Sequence, residues 1–207
     1  LFFIQIITLI MEKLSIKNLA CKRGSRTVFD KISFEVKSGQ TFLIKGSNGS
    51  GKTSLMRTLA GYIKPHEGEI FVDGKNIDRN DNEYFQFIGE KNALKNNLSV
   101  KKNIVLWSLL FNTSIDINDL LKIFSLNHCI NQDVATLSDG QKKRLSLSKL
   151  FLNQKPIWLL DEPYVFLDEQ NTIDLNNKIS KFNLKGGIVL ITSNIDIDFP
   201  FSERVIL

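Results

Sequence analysis

The sequence predicts an α/β fold in which a phosphate-binding loop and a pair of acidic residues follow buried strands. Residues 46–53 read Gly-Ser-Asn-Gly-Ser-Gly-Lys-Thr and lie between an apolar run, 41–44, and a helix-like stretch, 54–62. A second apolar run, 156–160, ends at Asp161 and Glu162. Because ligands bind at the carboxyl ends of parallel strands in open α/β sheets, we expect these two segments to meet.

The first segment has the complete form G-x-x-x-x-G-K-[ST] in the strand–loop–helix setting that a phosphate-binding loop requires. Its glycines let backbone N–H groups turn toward phosphate oxygens, and the start of the next helix adds partial positive charge. We expect Lys52 to reach the β- and γ-phosphates and the Thr53 hydroxyl to ligate Mg²⁺. A plain glycine-rich turn is the alternative, and the flanking elements argue against it. The predicted nucleotide-binding residues are Gly46, Ser47, Asn48, Gly49, Ser50, Gly51, Lys52, Thr53 and Ser54.

The acidic pair follows a run that is typical of a strand buried on both faces. We expect Asp161 to hold Mg²⁺ through a water molecule, and Glu162 to orient or activate the water that attacks the nucleotide. Taken alone, an apolar run followed by two acidic residues is a weak signal, because a surface turn would also explain it.

A third segment, 137–141, reads Leu-Ser-Asp-Gly-Gln and opens a helix predicted to run to about Asn153. Ser138 is a suitable N-cap for this helix. Basic residues 142–144 occupy its first turns. In isolation, the segment would be read as an ordinary capped amphipathic helix.

In this order and spacing the three segments resemble the ATP-binding cassette (ABC) family, over most of the chain from about Met11 to Leu207. The resemblance implies a P-loop NTPase ABC ATPase core with a small antiparallel β-subdomain and a helical subdomain. It implies a head-to-tail dimer, expected to be a homodimer, that encloses two ATP molecules with Mg²⁺. In that dimer Ser138, Gly140 and Gln141 would contact the γ-phosphate held by the opposite subunit, and Asp168 would be the aspartate of the D-loop.

The remaining elements follow in chain order and complete one predicted ABC ATP-binding domain, 11–207. Strands are predicted at 14–19 and 31–36, and a hairpin at 69–72 and 75–77. Residues from about 93 to 155 form the predicted helical subdomain. A helix near 172–182 and a strand at 187–192 return the chain to the core.

Residues 1–10 are an apolar run of ten residues, against about 20 needed to span a bilayer. They lack the basic start and the small-residue cleavage site of a signal peptide. We therefore expect Met11 to be the true start and residues 1–10 to be an over-extended reading frame. The alternative is a genuine apolar N-terminal tail.

Composition narrows the possible partners. The net charge is +5, and the basic residues are scattered instead of forming a stripe, so no nucleic-acid partner is expected. Two cysteines, Cys21 and Cys129, are too few for a disulfide framework and do not have metal-ligand spacing.

Three positions depart from the family pattern. Lys91 takes the place of a glutamine in the loop after the strand that ends near Ile88, and a lysine cannot ligate a cation. It could instead contact phosphate or point away toward a partner. Asn194 replaces the family's switch histidine after the last core strand, and it could still donate a hydrogen bond to the γ-phosphate as a catalytic residue. No aromatic side chain stands near Arg23 to stack on adenine, so Arg23 would either stack there or face solvent.

Short segments are similar to one subgroup of the family, the ATP-binding subunit of the haem exporter of bacterial cytochrome c maturation. This similarity implies an ATPase located peripherally on the cytoplasmic face of the inner membrane, where it would pair with membrane-spanning transporter subunits. The segments are Cys21-Lys22-Arg23, 46–49, 158–163 and 186–192.

Two other functions remain open. One is a soluble ABC ATPase of translation or DNA repair, although such proteins usually have tandem cassettes or coiled-coil insertions that this chain lacks. The other is a nucleotide-gated dimerising module in which hydrolysis is weak, an interpretation that Lys91 and Asn194 keep possible.

Overall fold

The structure is a computed structural model, and it describes residues 11–78, 81, 83–194, 197, 199–201 and 203–207. The prediction made for residues 1–10 lies outside the described residues. The strands within the described part are β1 (Lys13–Arg23), β2 (Arg26–Lys37), β3 (Thr41–Lys45), β4 (Glu67–Val72), β5 (Lys75–Ile77), β6 (Phe85–Ile88), β7 (Ile157–Asp161), β8 (Ile188–Ser193) and β9 (Glu203–Ile206). The α-helices there are α1 (Lys52–Leu59), α2 (Val100–Leu110), α3 (Ile117–Ile123), α4 (Asp139–Leu147) and α5 (Glu169–Asn183).

The strands form two sheets. An antiparallel sheet has the order β2–β1–β4–β5, and a parallel sheet has the order β6–β7–β8–β3–β9. Strands β1 and β2 are longer than predicted, because register shifts around Asn18, whose φ is 47°, let pairing continue to Arg23↔Arg26. A bulge of this kind interrupts the alternation of apolar and polar residues on which the prediction relied.

The parallel sheet separates two hydrophobic cores. In the fully buried strand β7, Ile157 and Leu159 pack with α1 and the antiparallel sheet. Their neighbours Trp158 and Leu160 pack on the other side with helices α2 to α5. Successive side chains of a strand point to opposite faces, so Asp161 lies on the same face as Leu159, toward α1.

Helix α1 begins and ends earlier than the predicted 54–62. It starts directly after Gly51, which has a φ of 109°, and Gly61, with a φ of 77°, follows its end. Both values lie in the left-handed region that glycine adopts readily, and a left-handed glycine is a common helix stop.

Helix α4 stops before the predicted Asn153. It ends at Leu147 and continues as a 3₁₀ helix, Ser148–Phe151. The Ser148 hydroxyl donates to the carbonyl of Leu145 at 2.7 Å, a back-bond to the third residue before it that competes with regular α-helical bonding. The Arg144 guanidinium donates to the carbonyl of Phe124 at 3.0 Å, which fastens α4 to the end of α3.

Candidate functional site

The loop between β3 and α1 has a backbone that requires glycine. Gly49 and Gly51 have φ values of 84° and 109°. At Gly46, an added Cβ would lie 2.5 Å from Ser50 Oγ and 2.9 Å from the carbonyl of Leu207. The loop is therefore closely packed at Gly46, and its left-handed glycines allow the backbone N–H groups to turn toward a phosphate.

Lys52 joins this loop to the acidic pair. Its side chain is 7% exposed, and its Nζ donates to the carbonyls of Gly46 at 2.7 Å and Ser47 at 3.1 Å. The same Nζ lies 3.6 Å from Glu162 Oε1. The structure thus brings together the phosphate loop and the acidic residues, as the sequence predicted.

Strand β8 lies between β3 and β7 and provides a residue that sequence reasoning missed. Thr192 is fully buried, and its Oγ1 donates to Asp161 Oδ1 at 2.7 Å and accepts from the backbone N–H of Glu162 at 2.9 Å. One hydroxyl therefore orients both acidic residues. A threonine at the end of an apolar strand was the available signal, but sequence order does not tell which strands are neighbours.

Asp161 has the chemistry of a cation ligand. It is 1% exposed, and its Oδ2 has no hydrogen-bond partner. A buried carboxylate oxygen without a partner is costly, and a bound cation would remove that cost. No cluster of three or more metal-ligating side chains occurs in the described part of the chain, so a cation here would take further ligands from phosphate and water. Mg²⁺ commonly binds in this way, and Thr53, at the start of α1, could add its hydroxyl.

Glu162 is suited to accept a proton. Its side chain is 12% exposed, and burial raises its pKa above the usual 4.5, against the lowering effects of Lys52 and of the Asn194 N–H. A raised pKa makes a carboxylate a stronger base. Its backbone has a φ of 48°, which is uncommon for a residue other than glycine.

Asn194 lies beside this carboxylate. Its backbone N–H is hydrogen-bonded to Glu162, and its Nδ2 donates to Asn48 Oδ1 at 3.1 Å. The residue therefore bridges the end of β8, the phosphate loop and the acidic pair.

Ser138, Gly140 and Gln141 form the start of α4. Ser138 and Gln141 make a reciprocal capping box, and Gln141 Nε2 lies 3.2 Å from His128 Nε2. An added Cβ on Gly140 would lie 2.8 Å from the carbonyl of Phe166, so glycine allows α4 to approach the segment before α5. Within the described residues, the hydrogen bonds of Ser138 and Gln141 do not reach the phosphate loop of the same chain.

Asp168 caps helix α5. Its Oδ1 accepts from the backbone N–H of Asn171 at 2.8 Å and from Asn171 Nδ2 at 2.7 Å. These hydrogen bonds hold the pKa of Asp168 below its usual value.

Replacing Asp168 with alanine is expected to lower the thermal midpoint of unfolding by about 2–4 °C, because an N-cap acceptor is lost. Asp168→Asn should retain most of the midpoint, since an amide oxygen can also cap a helix. Differential scanning calorimetry of both variants checks this. An Asp168→Ala midpoint equal to that of the wild type would show that the cap contributes nothing.

Lys143 has surroundings that the sequence did not reveal. It is 1% exposed, and its Nζ donates to the carbonyl of Glu162 at 3.1 Å and to that of Glu90 at 3.5 Å. Burial lowers its pKa, and the negative charge of Asp161, Glu90 and Glu162 opposes that shift. Its neighbour Lys142 instead pairs with Asp139 at 3.8 Å.

The two other departures from the family pattern lie at the edges of the site. Arg23 is exposed, and its Nη2 donates to Ser54 Oγ at 3.4 Å.

Lys91 lines a groove of about 890 Å³ between β6 and α2. The groove is bordered by four basic side chains and no acidic one among the described residues; the basic ones are Arg57, Lys91, Lys149 and Lys155. Aromatic side chains, including Tyr62, Phe87 and Trp107, line its walls.

No helix within the described ranges combines the length and the apolar character that crossing a membrane would take.

Comparison with known proteins agrees with this geometry. The family model described as ABC transporter matches residues 29–165. The cytochrome c biogenesis ATP-binding export protein CcmA of Haemophilus influenzae is 35% identical over 200 residues, covering 94% of each chain. The protein of the same description from Bradyrhizobium diazoefficiens is 36% identical, over 92% of this chain and 96% of that one. An ABC transporter ATP-binding protein from Pyrococcus furiosus has a similar structure, with a TM-score of 0.81 and 25% identity over 94% of this chain and 97% of that one. The chain therefore belongs to the ABC transporter family, as one of its ATP-binding subunits.

Proposed function

We propose that this chain hydrolyses Mg-ATP to energise a membrane export system of cytochrome c biogenesis, with haem as the exported group. The observation that carries the ATPase assignment is the arrangement of Lys52, Glu162 and Asp161. Lys52 lies within the phosphate loop, and its Nζ is 3.6 Å from Oε1 of Glu162, the proposed base. The residue before Glu162 is the buried Asp161, whose Oδ2 has no hydrogen-bond partner. The export assignment is supported by the similarity, over nearly the whole chain, to cytochrome c biogenesis ATP-binding export proteins.

Each residue has a role that follows from its position. The N–H groups of residues 46–54 and the ammonium of Lys52 bind the phosphates. Asp161, through a water molecule, and the Thr53 hydroxyl would hold Mg²⁺, which would neutralise charge on the phosphate oxygens. Glu162 accepts the proton of the attacking water, and Asn194 donates to the γ-phosphate. Thr192 holds the carboxylate of Asp161 and the backbone N–H of Glu162 in place.

The second half of the nucleotide site is proposed to come from another copy of the chain, arranged head to tail. Ser138, Gly140 and Gln141 lie at the start of α4, and the partial positive charge of a helix N-terminus favours an anion. Phe166, against which Gly140 packs, is 62% exposed next to Asp168. These neighbouring segments would cover the nucleotide of the partner, and a homodimer would repeat the site twice.

The groove containing Lys91 is the proposed contact with a membrane-spanning subunit. Its four basic side chains and its aromatic walls suit an acidic segment that also carries apolar side chains. Docking there would place the chain peripherally on the cytoplasmic face of the inner membrane. The proposed domain is 11–207, with residues from about 93 to 155, on the α2 side of the groove, as its helical subdomain.

Reversing the charge at Lys91 is expected to weaken this docking. Lys91→Glu should lower the recovery of membrane subunits about tenfold or more, because like charges would face each other across the contact. Nucleotide binding, measured by titration, should stay unchanged. Lys101→Glu, at an exposed position on α2 outside the groove, is the matched control. Equal recovery with both variants would show that docking occurs elsewhere.

Purification of the tagged chain from native membranes in mild detergent tests the function as a whole. Stoichiometric recovery of multi-span membrane proteins, identified by mass spectrometry, is the expected result. Recovery of soluble partners alone would favour an ABC ATPase of translation or DNA repair. The identity of the membrane partners decides the haem assignment.

One observation favours a second candidate, a nucleotide-gated dimerising module with weak hydrolysis. The side chain at Asn194 is an uncharged amide held by Asn48, and an uncharged donor stabilises a transition state less than a cation does. The two candidates differ in the consequence of removing the base at Glu162.

A further inference from the structure

The buried face of α4 and of the 3₁₀ turn after it holds the loop that borders the basic groove. Ser146 Oγ and Lys149 Nζ each donate to the carbonyl of Asn92 at 3.0 Å. Lys143 Nζ approaches the carbonyl of Glu90 at 3.5 Å. Lys91 lies between these two bonded carbonyls and lines the groove. The loop is therefore fastened to α4 on both sides of Lys91.

Lys143 extends this connection to the acidic pair. Its bond to the carbonyl of Glu162 is 3.1 Å long, and the N–H of the same glutamate is held by Thr192 at 2.9 Å. Both backbone polar groups of Glu162 are thus held by side chains of other elements, Thr192 of β8 and Lys143 of α4. Because Glu162 has a left-handed backbone, with a φ of 48°, it needs such support to keep its conformation.

Lys143 is buried although its side chain is basic. It is 1% exposed, and burial lowers its pKa. Burying a charged group costs free energy, and here the compensating contacts include hydrogen bonds to the carbonyls of Glu162 and Glu90, in two segments of the site. A buried donor shared between these two segments suggests a role in the reaction as well as in folding.

We propose that Lys143 is a positioning residue, which links the Glu90–Asn92 loop at the groove to Glu162 and thereby sets the position of the catalytic base. The inference rests on the proposed ATPase function.

The test compares Lys143→Met, Lys143→Arg and the control Lys142→Met in the full chain. Lys143→Met is expected to lower kcat for Mg-ATP at least tenfold, while KM and nucleotide affinity stay within twofold of the wild type. Its thermal midpoint should fall, because two backbone carbonyls lose their donor, and the unchanged KM and affinity separate that loss from the effect on kcat. Lys143→Arg should recover at least half of kcat, because it restores a cationic donor. Lys142→Met, which removes only the pair with Asp139, should behave as the wild type.

Hydrogen exchange of backbone amides provides a second measurement that does not depend on ATP turnover. Residues 161–168 and 89–93 should exchange faster in Lys143→Met than in Lys142→Met, with other segments unchanged. An unchanged kcat in Lys143→Met, or exchange equal to that of the control, would overturn the inference. A lower thermal midpoint with equal losses in affinity and kcat would also overturn it, as a purely structural role. If the wild type itself does not hydrolyse ATP, the proposed function fails, and the exchange comparison alone decides the role of Lys143.

Discussion

Replacing Glu162 with glutamine is expected to lower ATP turnover by about 10²–10⁴-fold, because the amide cannot accept the proton of the attacking water. ATP binding should persist, since the phosphate contacts come from the loop and from Lys52. Folding stability should not fall at neutral pH, because burial disfavours the charged form that the substitution removes. Steady-state phosphate release and nucleotide titration measure the two effects separately.

The matched control is Glu169→Gln, at an exposed glutamate in the first turn of α5, which should leave turnover unchanged. Turnover by the wild type should fall as pH drops through the pKa of Glu162, with a midpoint above 4.5, because protonation inactivates a base. If Glu162→Gln kept more than a tenth of the wild-type rate, the base would have to lie elsewhere. Near-normal function of this variant in cells would favour the nucleotide-gated module.

Replacing Lys52 with alanine is expected to weaken ATP binding by about 10²–10³-fold and to abolish turnover. The ammonium would otherwise make charge-assisted hydrogen bonds to two phosphates, each contributing about 1.5–3 kcal/mol. The side chain also bonds the carbonyls of Gly46 and Ser47, so the thermal midpoint should be measured together with affinity.

Lys64→Ala, which removes an exposed lysine shortly after α1, provides the control for a lost positive charge. Its affinity for ATP should stay within about twofold of the wild type, because surface charges are screened by salt. An equal loss of affinity in both variants would point to a general charge effect. Undiminished ATP binding by Lys52→Ala would place the nucleotide away from this loop.

The phosphate loop was predictable because its chemistry is local. The loop needs glycines with unusual backbone conformations, a lysine and a hydroxyl, all within eight residues. A single short window of sequence therefore identifies it. Asp161 was also predictable, because it follows a run that is apolar on both faces of the strand. The nearness of the acidic pair to the loop follows from the rule that ligands bind at strand ends.

The contributions of Thr192 and Lys143 were not predictable from the sequence. Strand β8 enters the sheet between β3 and β7, and nothing in the sequence states that order. Lys143 lies between Lys142 and Arg144 in a run that is typical of a solvated helix face. The packing of α4 against the loop at Glu90 buries Lys143 and leaves its neighbours partly exposed.

The predicted boundaries of a helix and a strand were wrong where the regular pattern of the element is interrupted. The end of α4 depends on the Ser148 hydroxyl, which turns the last part into a 3₁₀ helix. The extension of β1 depends on a bulge at Asn18 that breaks the apolar alternation.

Single-turnover release of phosphate from γ-labelled ATP, with Mg²⁺ or with EDTA, tests most directly whether residues 46–54, Asp161 and Glu162 form one hydrolytic site. The complex recovered with its membrane partners should release phosphate with Mg²⁺ and should stop when the metal is removed. Its Glu162→Gln form should retain bound ATP and release none. Equal release by the Glu162→Gln complex, or release that persists in EDTA, would contradict this assignment.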